Sequence, residues 1–226
     1  EAQIDQLGLY RAQAGGLESV TLNGPANPKE YADLQSTTDV MTPYSKATGG
    51  GSAILPTPAI GGVGILEDST RMMTMGFKNE GDEIWLFGGD AKDLGQSIWL
   101  REICGAVSGK PPVVDLESEK QRGERVRALI ETGKVTAVHD ISDGGLLVAL
   151  AEMGLAGDLG CELSTELDTV QAFGEMQGRY VLTTSNGAAL ENAILIGKVS
   201  GTAVAGIPLS DLREASDSFF RDWMEG

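Results

Sequence analysis

The stretch from Thr136 to Met153 constrains the fold of this chain more than any other part of it. It opens with apolar residues that predict a short buried strand over 136–138, passes through a polar loop, and then shows a helical pattern over 145–154. Four apolar residues repeat there at the spacing i, i+3, i+4 and i+7: Leu146, Ala149, Leu150 and Met153. Because such a stripe has to be buried against another layer, the stretch predicts a domain in which helices pack on a sheet.

Other segments show strand or helix patterns in an order that does not alternate strictly. The predicted strands span 17–22, 82–87, 180–184 and 194–199, with broken strand material over 53–66 and a long loop over 23–52. The predicted helices span 3–10, 95–104 and 115–131, before a closing helix striped by Leu212, Phe219, Phe220 and Trp223. This mixture predicts an α/β or α+β fold. We expect a smaller, incomplete domain at 1–77 and an α/β domain at 78–226.

Composition excludes several classes of protein. The 226 residues include 17 basic and 33 acidic ones, a formal charge of −16, so the chain should repel nucleic acid and hold phosphates only with metal ions or backbone N–H groups. Cys104, Cys161 and the sole histidine, His139, lack the spacing of a zinc site, and a lone histidine suits a structural hydrogen bond better than general-base catalysis.

The sequence also bears on the cellular compartment of the protein and on whether the chain is a fragment. No apolar run reaches the length of a membrane span, and two cysteines suit a reducing cytoplasm. The chain opens on Glu1 rather than Met, which we interpret as a fragment or a processed chain. Its 31 glycines fall in clusters without a fixed period, which excludes a repeat protein and predicts sharp turns or close backbone approaches.

The strongest candidate for a functional site is the polar loop His139–Gly145, between the predicted strand and helix. A helix that starts at Gly144 and Gly145 offers N–H groups to a phosphate, and Asp140 and Asp143 could hold Mg²⁺ against it. The alternative is structural: Ser142 or Asp143 caps the helix, and the glycines make a tight turn.

A second candidate follows the strand predicted over 82–87, where a glycine turn leads into the helix predicted over 95–104. A strand, a turn and a helix in this order can cradle a phosphate, although no Walker motif is present. The alternative is a β–α turn in which Asp93 caps the helix. The candidate phosphate-binding residues are Gly88, Gly89, Asp90, Gly95, Gln96 and Ser97.

Two further features are weaker. The glycines of 53–64 would allow close packing of two backbones as readily as binding. Glu175 and Arg179 are four residues apart, and in a helix they would form an ordinary surface ion pair.

Four segments together resemble one family. They are ILPTPAIGGVGILED at 54–68, GDEIWLFGGDAKDLGQSIWLREICG at 81–105, the segment 111–157 with VHDISDGGLLVALAEM, and FGEMQGRYVLTT at 173–184. In order and spacing they are similar to the large, PurL-type subunit of phosphoribosylformylglycinamidine synthase, over about residues 53–226. The resemblance implies an aminoimidazole ribonucleotide synthetase-like C-terminal domain, preceded by part of a smaller nucleotide-facing domain.

The resemblance also implies an activity. Such an enzyme converts formylglycinamide ribonucleotide, ATP and glutamine-derived ammonia into formylglycinamidine ribonucleotide, ADP and phosphate, with Mg²⁺ on the phosphates. ATP activates the amide oxygen as an iminophosphate, and ammonia then displaces phosphate. The implied partners are the missing N-terminal module, a glutaminase subunit or domain and a small accessory subunit, in a dimer or larger complex of the cytoplasm.

The chain departs from the family before residue 53. The segments VTLNGPANPKE at 20–30 and TTDVMTPYSKATGGG at 37–51 stand where the family has nucleotide, metal and substrate ligands, and Val20 replaces an aspartate. No catalytic residue is therefore assigned. Two alternatives remain open: a non-catalytic structural module of the same enzyme, or another ATP-dependent member of the superfamily.

Overall fold

A computed structural model of the chain describes residues 8–14, 17–23, 64–66, 68–185 and 190–225. The chain divides into two units, Glu1–Ile65 and Leu66–Gly226. The residues predicted to form a loop over 24–52 and broken strand material over 53–63 lie outside the described ones, and 64–66 adopt no regular structure.

The first unit contributes an antiparallel hairpin of β1 (Gly8–Ala14) and β2 (Leu17–Asn23). The predicted strand over 17–22 is confirmed. The predicted helix over 3–10 is wrong at 8–10, and its earlier residues lie outside the described ones. Tyr10 lies opposite Thr21, and such aromatic and β-branched pairs stabilise a ladder enough to override a weak helical preference.

The second unit is built on a sheet in which seven strands are described, in the order β4-β6-β3-β7-β5-β8-β9. The interior strand β3 runs antiparallel to β6 on one side and to β7 on the other, and among the described strands only β5 and β8 pair in parallel. The strands predicted near 82–87, 136–138, 180–184 and 194–199 are all confirmed within three residues. The bounds are β3 (Glu83–Phe87), β4 (Ala137–Asp140), β5 (Cys161–Leu163), β6 (Tyr180–Thr184), β7 (Ala193–Val199), β8 (Ala203–Val204) and β9 (Ile207–Pro208).

Helices cover this sheet. They are α1 (Leu116–Glu131), α2 (Gly145–Gly157), α3 (Thr169–Phe173) and α4 (Leu209–Glu225), with a short 3₁₀ turn at Ser69–Arg71 and one π-helical turn at Trp99–Ile103. α1 matches its prediction, because Asp115 caps its start and Gly133, with φ of 64°, follows its end. The helix predicted over 95–104 is reduced to the π-helical turn, because Gln96 has a φ of 61° and its N–H bonds to Ser108.

The core lies on both faces of the sheet. Alternate residues of β3 enter opposite clusters: Ile84 and Leu86 pack with α2, and Trp85 and Phe87 pack with α1. The predicted stripe of α2 is fully buried, and so are Val126 and Leu129 of α1. A sheet covered by helices on two faces confirms the mixed α/β fold class. Among the described residues, no helix is long and apolar enough to cross a membrane.

Two expectations differ from the structure. Residues 66–77 belong to the second unit, so the predicted boundary at 77 falls inside it; Phe77 is buried and its N–H bonds to Met153 of α2. The stripe of the closing helix is only partly buried, since Leu212 packs on the core whereas the Phe219 side chain is 62% exposed.

Candidate functional site

The loop after β4 presents its polar side chains to solvent. Ile141 anchors the loop, because its side chain is buried and its N–H bonds to the Arg179 carbonyl at 2.9 Å. Asp140, Ser142 and Asp143 are exposed around this anchor. The loop therefore offers two carboxylates on a fixed backbone.

Asp140 is held in its ionised form. The Ser142 hydroxyl donates a hydrogen bond to its carboxylate, and this bond holds the pKa of Asp140 below its usual value, with the nearby His139 as a smaller cause. His139 itself bonds through Nε2 to Glu152 of α2 at 2.8 Å. The histidine therefore has the structural hydrogen bond expected of it, and Asp140 remains a competent ligand for a cation.

The backbone at the start of α2 differs from the expectation. Gly144, in a left-handed conformation, stands at the N-cap position without a side-chain cap, so neither Ser142 nor Asp143 caps the helix. The Gly144 N–H bonds to Glu175 Oε1 at 2.8 Å, and the Gly145 N–H bonds to the Ser142 carbonyl. Both N–H groups proposed for phosphate are thus engaged inside the protein.

Close packing explains the second glycine of this pair. A Cβ on Gly145 would lie 2.7 Å from the backbone of Phe173 in α3, and its φ is 76°. Any side chain would force α2 and α3 apart. The glycines here bring two helices into contact.

The turn after β3 also rests on backbone contacts. Gly88 and Gly89 have φ values of 101° and 85°. A Cβ on Gly88 would lie 2.4 Å from the Gly178 carbonyl oxygen, whereas nothing lies within 4 Å of one on Gly89. Asp90 follows with an exposed side chain. Of this pair, therefore, only Gly89 has room for a Cβ.

The hydrogen-bond donors of residues 95–97 bond to other groups of the protein. The Gly95 N–H bonds to Asp93 Oδ1 at 2.9 Å. Asp93 therefore closes this turn, in agreement with the alternative that it has a structural role. The Gln96 side chain donates to the Gly109 carbonyl, and Ser97 is buried. Gln96 thus joins this segment to residues 108–109, while the Gly95 and Ser97 N–H groups bond within the turn, and a phosphate contact at 95–97 stays a prediction.

The largest correction concerns Glu175. The segment 174–179 is not helical, so the predicted surface pair with Arg179 is wrong. One carboxylate oxygen of Glu175 accepts two backbone N–H groups, from Ile98 at 2.9 Å and from Gly144 at 2.8 Å. Glu175 thereby joins the segment after Ser97 to the start of α2. Gly174 and Gly178, which disfavour a helix, are the signal that could have revealed this.

Arg179 holds the remaining turn. Its side chain is 2% exposed, and it donates to the carbonyls of Gly89 and Gly174, both at 2.9 Å. Burial lowers the pKa of Arg179, and the charge of Asp90 opposes this shift. Glu175 and Arg179 together therefore connect the three predicted site segments, 88–90, 95–97 and 140–145.

The described residues limit what metal the site could hold. No group of three or more His, Cys, Asp or Glu side chains in that part of the chain is arranged to bind a metal ion. Cys104 is exposed and Cys161 is buried, and burial raises the pKa of the Cys161 thiol to about 11. Asp140 and Asp143 are exposed carboxylates, the ligand type by which Mg²⁺ is commonly held together with phosphate oxygens and water.

With this geometry established, comparison with known families matches residues 79–207 to "AIR synthase related protein, C-terminal domain". The match covers more than half of the chain, and the chain belongs to this family. The chain is 61% identical over 207 residues to phosphoribosylformylglycinamidine synthase subunit PurL of Novosphingobium aromaticivorans. It is 49% identical over 207 residues to the same subunit of Erythrobacter litoralis. The PurL-type resemblance seen in the sequence is confirmed.

Coverage and structure complete the comparison. The alignments cover 91% and 80% of this chain but only 29% and 28% of the two relatives, so the chain spans less than a third of their length. A solved structure, Thermotoga maritima PurL complexed with FGAR, matches with a TM-score of 0.54 and 22% identity, over 64% of this chain and 30% of that one. At that identity the likeness concerns the fold alone.

Proposed function

We propose that this chain is part of an ATP-dependent formylglycinamidine ribonucleotide synthase of purine biosynthesis. The observation that carries the proposal is the 61% identity over 207 residues to a PurL subunit. The enzyme would join glutamine-derived ammonia to formylglycinamide ribonucleotide, with conversion of ATP to ADP and phosphate. The chain is one module of this C–N ligase.

Mg²⁺ and ATP are the cofactor and cosubstrate of the proposal. Asp140 and Asp143 would hold the ion, because both carboxylates are exposed on a loop that Ile141 and Arg179 fix. The ion would supply positive charge to the phosphates, which a chain of formal charge −16 otherwise repels. The turn at Gly88, Gly89 and Asp90, whose Gly89 carbonyl accepts a hydrogen bond from Arg179, would supply a second phosphate contact.

The proposed partners are the other parts of the synthase that the PurL-type resemblance implies. The N-terminal module of the synthase, a glutaminase subunit or domain and a small accessory subunit would complete the enzyme, in a dimer or a larger complex in the cytoplasm. Neither nucleic acid nor a membrane belongs to the proposal.

Calorimetric titration with Mg-ATP, with and without formylglycinamide ribonucleotide, tests the proposal on the 226-residue chain. We expect saturable binding that both Asp140→Asn and Asp143→Asn weaken. Asp217→Asn removes the same charge from an exposed position on α4 and is the matched control. Absence of binding to a folded chain, or equal losses in all three variants, would contradict a phosphate site on this module.

A structural module is the second candidate, and the inward-pointing donors of Gly144 and Gly145 favour it. It would complete clefts of the catalytic half without binding ligand. It predicts that Asp140→Asn and Asp143→Asn lower the thermal midpoint or impair assembly but leave ligand affinity of the assembled enzyme unchanged. Turnover with other acceptors would instead indicate another ATP-dependent member of the family.

A further inference from the structure

A cleft of about 480 Å³ opens between α1 and the turn that ends β3. It includes Gly89, whose carbonyl accepts a hydrogen bond from Arg179, but no residue of the carboxylate loop at 140–145. The residues of its lining that matter here are Gly88, Gly89, Gln121, Arg122, Arg125 and Asn192.

The lining of the cleft carries two guanidinium groups in a strongly acidic chain. Arg122 and Arg125 are three residues apart on α1, which places them on the same side of the helix. Among the described residues of the lining there is no carboxylate. Asp93, Asp115 and Glu119 line the adjoining cleft, which Arg122 also lines, and Glu191 bonds to Arg125. Against a formal charge of −16, this pair of guanidinium groups is a local site for an anion.

The bonds that these arginines make are weak enough to be exchanged. Arg122 donates to the Gly178 carbonyl at 3.4 Å, and Arg125 approaches Glu191 at 3.3 Å. The Arg125 and Glu191 side chains are 46% and 81% exposed, and exposed pairs of this type contribute little. A guanidinium has five N–H donors in a planar fork that matches phosphate oxygens.

Neutral groups in the cleft add to this arrangement. Gln121 and Asn192 contribute amide side chains, and Asn192 adopts a left-handed φ of 62°. Gly89 leaves open space where another residue would place a Cβ, so a ligand can approach the backbone there. The lining thus combines two cations, two amides and an accessible turn.

We propose that this cleft binds a phosphoryl group directly through Arg122 and Arg125, without a metal ion. The inference deepens the proposed function, on which it rests for the Gly88–Gly89 turn, by separating two kinds of phosphate contact. The loop at Asp140 and Asp143 needs a cation, whereas the arginine cleft supplies its own charge. A phosphate monoester of a sugar is the ligand class that matches two guanidinium groups flanked by amides.

The test is titration of the 226-residue chain with inorganic phosphate and with ribose 5-phosphate, both in the presence of EDTA. Arg122→Gln and Arg125→Gln should each weaken binding about tenfold. Arg127→Gln is the matched control, because it removes the same charge from the same helix at a side chain that is 74% exposed and pairs with Glu131. Glu191→Gln should strengthen binding, since it removes the carboxylate that competes for Arg125.

Each result decides the question. Tighter binding of ribose 5-phosphate than of phosphate identifies a sugar phosphate as the ligand, and equal binding identifies the phosphoryl group alone. Equal losses in all three arginine variants, or no saturable binding to the folded wild-type chain, would overturn the inference. Because EDTA removes Mg²⁺, such a failure leaves the Mg-ATP titration unaffected and is separate from a failure of the proposed function. Circular dichroism and thermal melts confirm that the variants are folded.

Discussion

The two glycine pairs of this domain, Gly88–Gly89 and Gly144–Gly145, look alike in the sequence but differ in the structure. At Gly144–Gly145 both N–H groups bond inside the protein and α3 lies against the backbone. At Gly88–Gly89 the first glycine contacts Gly178, and the second borders an open cleft with two arginines. Gly144–Gly145 allows two helices to pack closely, whereas Gly88–Gly89 borders a space that a ligand can enter.

This difference teaches that a glycine at the start of a helix is not by itself a phosphate site. What decides is where the N–H groups go and which charges surround them. The Gly144 N–H already has an internal carboxylate, Glu175, in the place that an anion would take. Four predictions test the contrast, from the largest expected effect to the smallest.

Substitution of the two pairs should have unequal costs. Gly145→Ala combines a positive φ with a Cβ only 2.7 Å from the Phe173 backbone, so it should lower the free energy of unfolding by about 3 kcal/mol or more. Gly89→Ala meets only the positive φ and should cost about 1 kcal/mol. Urea unfolding followed by circular dichroism measures both. Equal losses would remove the distinction between a sealed and an open turn.

Removal of the Glu175 carboxylate should act on both segments that it joins. Glu175→Ala leaves the Ile98 and Gly144 N–H groups without their acceptor and should cost about 2 kcal/mol. Glu175→Gln keeps an oxygen acceptor and should cost roughly half as much. Hydrogen exchange of the two amides reports the effect locally. Faster exchange at only one of them would show that Glu175 does not join the segments.

The N-terminal cap of α1 tests whether the arginine cleft and the Gly144–Gly145 turn are independent. Asp115 accepts hydrogen bonds from the Ser118 N–H at 3.1 Å and from its hydroxyl at 2.8 Å, at the start of the helix that carries the two arginines. Asp115→Ala should therefore destabilise the first turn of α1, with a smaller loss of stability than Glu175→Ala because the cap is exposed. Amide exchange should rise in the first turn of α1 and stay unchanged at Gly144. A rise at Gly144 would mean that the two sites are coupled.

The smallest expected effect concerns Asp140. Because its hydrogen bond from Ser142 lowers its pKa, the stabilisation is present above the ordinary aspartate pKa and is lost as the pH falls through the lower folded value. The group is largely exposed, so the contribution should stay below about 0.5 kcal/mol. An NMR titration of the Asp140 carboxyl carbon should show the pKa rising towards its ordinary value in Ser142→Ala. An unchanged pKa would assign the shift to another group.

Much of the fold was predictable because burial leaves a periodic pattern. The stripe of Leu146, Ala149, Leu150 and Met153 placed α2 correctly, and the apolar run over 82–87 predicted β3, which the structure covers on both faces. The helix expected at 95–104 failed because long-range bonds from Gln96 to 108–109 hold the chain in a turn. No local propensity contains that information.

The candidate site was predictable in location but less so in contacts. The exposed carboxylates of Asp140 and Asp143 lie on the expected loop. The Gly144 donor, by contrast, bonds to Glu175, a residue thirty-one positions further along, and the Gly145 donor bonds to the Ser142 carbonyl. Arg179 looked like a surface cation, and yet it is buried by contacts to the Gly89 and Gly174 carbonyls. Such roles arise from tertiary neighbours that a helical spacing rule cannot name.

The position of β3 in the sheet sets the order in which this domain can assemble during synthesis. Both neighbours of β3 (Glu83–Phe87) are encoded much later, at Tyr180–Thr184 and Ala193–Val199. When residue 179 has emerged from the ribosome, α1, β4 and α2 have also emerged, while β3 still has neither partner in the sheet. Pairing over so long a loop is slow to form. The apolar faces of both helices therefore lack their contacts with β6 and β7 until residues 180–199 emerge, and the nascent polypeptide is exposed to aggregation for that interval.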